Sequence, residues 1–199
     1  MITLLNNSYI KILELFYKNK YDAFHFRKIV RLTKLHEPSV FSILKKLEKE
    51  NILISKKEGN LKKYFLKNSL NTYLIFELFD LNRYEKLPLI RKNAISIFLK
   101  TLDEKPHFVI LFGSTAKETY KEDSDIDLLL IVNKSIKTEI AEKETDALTG
   151  LKISCFQINF KEFLKEIKLK KDKVVQSAIN TGYPLINHIQ YYEALNERN

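Results

Sequence analysis

Two apolar runs, residues 107–112 (HFVILF) and 126–132 (IDLLLIV), are separated by a polar stretch that opens with Gly113-Ser114 and closes on Asp125. Nothing else in the chain constrains the fold as much. Short, nearly continuous apolar runs predict buried strands. Gly113 and Ser114 predict a sharp turn, and residues 115–121 have the composition of a short helix whose first backbone N–H groups are open to a phosphate. Glu122, Asp123 and Ser124 form a polar turn into the second strand, with Asp125 and Asp127 at its entrance. Side chains two apart on a strand share a face at a rise of roughly 3.3 Å per residue, so the two carboxylates can grip one Mg²⁺ (or Mn²⁺) or clamp two. Packing gives an apolar strand no reason to begin this way; a glycine turn beside a solvated acidic cluster is the bland alternative.

Gly113-Ser114, ten intervening residues and then Asp125-Ile126-Asp127 resemble the signature of the minimal nucleotidyltransferases of the DNA polymerase beta superfamily, and Ala116 and Ser124 to Leu128 fit it too. The resemblance implies a mixed sheet with flanking helices over residues 105–199. It implies that Gly113 and Ser114 hold a nucleoside triphosphate, ATP being the expected one, and that Asp125 and Asp127 are the catalytic carboxylates that hold Mg²⁺. The reaction implied is attack of a protein or small-molecule hydroxyl on the α-phosphate with loss of pyrophosphate. Family members that act as antitoxins modify HEPN toxins, so a HEPN partner is among the expectations. The family places a third acid on the next central strand, where residues 151–160 (LKISCFQINF) carry no carboxylate. Ser154 is the best candidate for that position and Gln157 the second, while Glu142, Glu144 and Asp146 precede the strand. This departure leaves turnover open, so the chain reads either as an enzyme or as a transcriptional regulator whose second domain senses a nucleotide or mediates assembly.

The net charge of +9 divides unevenly. Residues 1–70 hold 15 Lys and Arg against 6 Asp and Glu, whereas residues 71–199 hold 19 of each. A basic third beside a neutral remainder points to a polyanion partner for the first part, with a solvated basic surface as the alternative. Apolar residues at helical spacing predict helices over residues 8–16, 26–32 and 38–51, the last with Val40, Ile43, Leu44 and Leu47 inward. Residues 52–55 and 64–66 predict two short strands joined through residues 56–63, with Gly59-Asn60 at the turn. This order resembles a winged helix-turn-helix, and the fold class is α+β. Double-stranded DNA is then the expected partner: Arg27, Lys28, Lys45, Lys46, Lys56, Lys57, Lys62 and Lys63 would meet phosphates, and Ser39, Ser42 and Lys46 the bases. A dimerisation or protein-docking module is the competing reading.

Residues 71–104 read as connecting helices divided at Pro88, and their apolar surface favours a homodimer. The apolar content of 45% predicts a folded chain. One cysteine, Cys155, expected to be buried, excludes an intrachain disulfide. The chain has no apolar run of membrane-spanning length and no leader-like start, which gives a cytoplasmic expectation.

Overall fold

Helical apolar spacing builds the start of the chain. In the computed structural model, which describes residues 7–197, helix α1 (Asn7–Lys18) buries Ile12, Leu13, Phe16 and Tyr17. Helix α2 (Phe26–Thr33) starts at His25, whose side chain accepts from the Lys28 amide, and ends where Lys34 turns left-handed. Helix α3 (Glu37–Lys49) carries Pro38 in its first turn and buries the expected stripe of Val40, Ile43, Leu44 and Leu47. A hairpin of β2 (Leu53–Glu58) and β3 (Leu61–Leu66) follows. The strands run farther than the sequence indicated, up to the Gly59-Asn60 turn, where Gly59 has φ +58°. Residues 56–63 are therefore mostly ladder and not loop. A two-residue strand, β1 (Phe24–His25), pairs antiparallel with β3; so short a strand has no periodicity to read. Three helices, a hairpin and a short third strand make this a winged helix-turn-helix.

Helix α4 (Leu70–Glu85) is fastened at its start by Thr72 Oγ1, which donates to the Lys67 carbonyl at 2.7 Å, and by Ser69 Oγ, which donates to that of Asn51 at 2.6 Å. The chain divides into two compact units, Met1–Phe79 and Asp80–Asn199, with the division inside α4. Residues 71–104, read above as a connector, do not stand apart. Helix α5 (Leu89–Thr101) belongs to the second unit, where Ala94, Ile95 and Phe98 enter its core.

That unit is a four-stranded sheet ordered β6-β5-β4-β7, built from β4 (Phe108–Phe112), β5 (Ile126–Val132), β6 (Ile153–Asn159) and β7 (Tyr183–Ile186). Strands β5 and β6 are parallel; β4 is antiparallel to both of its neighbours. Val109, Leu111, Leu128 and Leu130 share one core with α5 and with Ala141 of helix α7 (Glu139–Thr149). On the opposite face Phe108 meets Phe163 of helix α8 (Phe160–Leu169) at 5.4 Å and Tyr191 of helix α10 (His188–Asn196) at 5.6 Å, both edge-on. One expectation is corrected. The helix read over 115–121 is one turn, α6 (Gly113–Ala116), and Glu118 beyond it has φ +58°. Helix α8 ends at left-handed Lys170, and α9 (Lys173–Thr181) starts under an Asp172 cap. Tyr183 and Pro184 begin strand β7. Cys155 is half-buried, and burial pushes its thiol pKa up to about 12. Among the described residues no helix is long and apolar enough to cross a membrane.

Candidate functional site

Strand β4 delivers the chain to Gly113, which has φ +67°, a region costly for any residue with a side chain. A Cβ placed there would also fall inside the Asp127 carboxylate. The glycine turn and the carboxylate thus touch because neither has anything between them. Within α6 the carbonyl of Gly113 is taken by the Lys117 amide at 3.2 Å, and that of Ser114 by the Thr119 amide at 3.0 Å. The N–H groups of the turn point the other way, as at any helix start.

Asp127 sits near the start of β5, an inner strand of the sheet, in register with Phe112 on one side and Ser154 on the other. Ser154 Oγ donates to Asp125 Oδ2 at 3.2 Å. Asp125, Asp127 and Ser154 therefore converge at one end of two adjacent strands, β5 and β6. Burial, and then the charge of Asp125, raises the Asp127 pKa above its ordinary value. Ser154 occupies the register position next to Asp127 that the sequence assigned to the missing acid. The second candidate, Gln157, is otherwise engaged: its side chain donates to the Ile136 carbonyl at 2.8 Å and accepts from the Ile136 amide at 2.9 Å. Glu142, Glu144 and Asp146 lie on α7, across the sheet from Asp127, and Glu144 accepts from Thr101 Oγ1 at 3.1 Å. Among the described residues no cluster of three or more His, Cys, Asp or Glu side chains forms a cage. The donor set suits one Mg²⁺, an ion held by one or two carboxylates and completed by substrate phosphates and water.

Arg91 was not among the residues singled out above. It is 2% exposed, and its guanidinium donates to Thr115 Oγ1 at 3.0 Å and to the carbonyls of Lys121 at 2.8 Å, Ser124 at 3.1 Å and Glu122 at 3.3 Å. It also lies 4.0 Å over the Tyr120 ring. The planar fork matches this set of acceptors, and it fixes the loop between Gly113-Ser114 and Asp125. An arginine among Leu89, Ile90, Ala94 and Ile95 was the available hint.

In the first unit Ser39, Ser42, Lys45 and Lys46 lie on the exposed side of α3, and Arg27 is exposed on α2. Lys28 Nζ rests 4.8 Å over the Phe24 ring. On the wing Lys56 faces Lys63 and Lys57 faces Lys62 across the ladder. Like charges directly opposite one another are unfavourable. Lys62 relieves this by pairing with Glu48 at 3.2 Å and Lys63 by pairing with Glu58.

Residues 93–180 match the sequence model of the family described as nucleotidyltransferase domain. This segment is similar to nucleotidyltransferase domains. The match spans Gly113, Ser114, Asp125, Asp127 and Ser154 and stops two residues short of Arg91. No curated protein matches the chain. Among solved structures, MepR, a transcription regulator of the Staphylococcus aureus multidrug efflux pump MepA, is 16% identical, with 49% of this chain and 76% of that chain covered and a TM-score of 0.34. TrmBL2, an archaeal chromatin protein, is 15% identical, with 82% and 75% covered and a TM-score of 0.24. The winged-helix assignment rests on the element order and sheet pairing of the first unit. In the matched segment the Gly113 turn lies against the Asp127 carboxylate, and the Ser154 hydroxyl bonds the neighbouring Asp125.

Proposed function

We propose that this protein binds a nucleoside triphosphate, ATP being the expected one, with Mg²⁺ or Mn²⁺ at Gly113, Ser114, Asp125 and Asp127, transfers the nucleotidyl group to a hydroxyl acceptor, and attaches to duplex DNA through its winged helix. The observation that supports the reading is the closeness of the Gly113 turn to Asp127, whose carboxylate fills the space that a Cβ at 113 would take. The turn amides bind and orient the phosphates. Asp125 and Asp127 hold the cation, and Ser154 restrains Asp125 through its hydrogen bond. The cation, when bound, neutralises charge on the phosphates and the leaving pyrophosphate. An acceptor hydroxyl must also lose its proton, and general-base help is typically worth about 10² to 10⁴ in rate. With a serine at the third position that help is reduced, so slow transfer is expected. The same serine supports the second reading, a transcriptional regulator in which the nucleotide is a ligand. Protein acceptors of the HEPN toxin class belong to the first reading, while a homodimer and a cytoplasmic setting fit either.

Release of pyrophosphate from NTP labelled on the β-phosphate, with Mg²⁺ and acceptor, distinguishes the two. Slow release that rises in Ser154→Asp and disappears in Asp125→Asn with Asp127→Asn supports the enzyme. Nucleotide binding with no release in any variant supports the regulator.

A further inference from the structure

Helix α3 carries an outward phenylalanine that the core does not need. Phe41 is 50% exposed, although Val40, Ile43, Leu44 and Leu47 already fill the buried stripe. Its ring is braced: Phe26 stands edge-on at 6.5 Å and 81°, and Lys45 Nζ lies 4.5 Å from the ring centre. At about 100° per residue, Phe41 and Glu48 fall on one flank of the helix, and Ser39 and Lys46 on the other. The Glu48 flank faces the wing, since Glu48 Oε2 accepts from Lys62 Nζ at 3.2 Å. The Lys46 flank faces α1, since Lys46 Nζ lies 5.6 Å over the Tyr9 ring. A duplex that meets both α3 and the wing therefore meets Phe41 and Lys45 in preference to Ser39 and Lys46.

We propose that Phe41 reads the 5-methyl group of a thymine in the major groove, with Lys45 beside it on the phosphate backbone. This inference rests on the duplex-binding part of the proposed function. Chemistry selects the ligand. An apolar ring braced next to a cation suits the one apolar group that the major groove presents, and that methyl marks thymine against every other base. Lysines on the wing and α3 supply affinity without sequence; Phe41 supplies a preference.

The test uses the full chain. A duplex selected from a random pool is synthesised with each thymine replaced in turn by deoxyuridine, which removes only the methyl. Losing one buried methyl contact should weaken binding about fourfold at the contacted position. Phe41→Ala should bind the parent duplex more weakly, lose the thymine preference at that position, and keep the salt dependence, because the phosphate contacts remain. Phe41→Leu should retain part of the preference. Equal affinity of the unaltered protein for thymine and deoxyuridine duplexes at every position would overturn the inference while leaving duplex binding standing. A preference that persists in Phe41→Ala would also overturn it. No binding to any duplex at low salt would reject duplex binding itself, and this inference with it.

Discussion

The Asp127 carboxylate fills the space that a side chain at 113 would need, and the consequences at this scale are direct. Any side chain at 113 meets the Asp127 carboxylate and a left-handed backbone together. A left-handed non-glycine alone costs on the order of 1–3 kcal/mol. Gly113→Ala is therefore expected to lower the melting temperature and to abolish nucleotide binding, read by thermal unfolding and by titration with ATP. Asp127 carries a second consequence. Its pKa is raised in the folded chain by burial and by Asp125, so the folded protein holds that proton more tightly than the unfolded one. Below the unfolded value, about pH 4 for aspartate, both states are protonated and the group is neutral to stability. As pH rises from there through the folded value, stability is lost, and above it the loss is complete. Chelator-treated protein should accordingly gain stability at neutral pH from Asp127→Asn and gain nothing at the acid end. Denaturant titrations at the two pH values check this; an equal change at both would contradict the linkage.

Elements differ in how plainly the sequence displayed them, for physical reasons. The two strands of the motif are buried on both faces, so they read as uninterrupted apolar runs, and α3 shows its stripe because one face alone is buried. The sequence concealed what depends on partners distant along the chain. Strand β1 has two residues and exists because β3 offers it an edge. The break between α8 and α9 turns on Lys170 adopting φ +55°, which its composition does not announce. Ser154 was legible as an absence of acid, but its bond to Asp125 required the parallel register of β5 and β6. Arg91 was invisible because its acceptors are mostly carbonyls 30 or more residues away. Without that guanidinium, the loop of residues 117–125 loses three hydrogen bonds and Thr115 a fourth, and those to a charged donor contribute about 1.5–3 kcal/mol each. Arg91→Met should therefore lower thermal stability, raise amide exchange in that loop and weaken metal-dependent nucleotide binding. Arg91→Lys should restore little of this, since a point charge cannot replace a planar fork. Exchange rates in the loop that match the parent would contradict the role given to Arg91.

At the scale of the whole molecule, charge and chemistry are divided along the chain. All of the excess of +9 lies in residues 1–70, while the motif lies in a remainder that carries equal numbers of acids and bases. Duplex affinity should therefore fall steeply with salt, with a slope near −0.9 per phosphate neutralised. Replacing Lys56, Lys57, Lys62 and Lys63 together by Ala should flatten that slope and weaken all sequences alike. The exposed pairs to Glu48 and Glu58 offer little resistance, being worth about 0–1 kcal/mol. Asp125→Asn with Asp127→Asn should leave that slope unchanged, because it alters no basic residue of the winged helix. The central claim is that Gly113, Ser114, Asp125 and Asp127 form a single nucleotide and metal site, and calorimetric titration of ATP into the purified chain tests it most directly. The account predicts saturable binding with Mg²⁺ or Mn²⁺ that is lost with chelator and lost in the double Asp variant; absence of binding by the parent protein with either cation would contradict it.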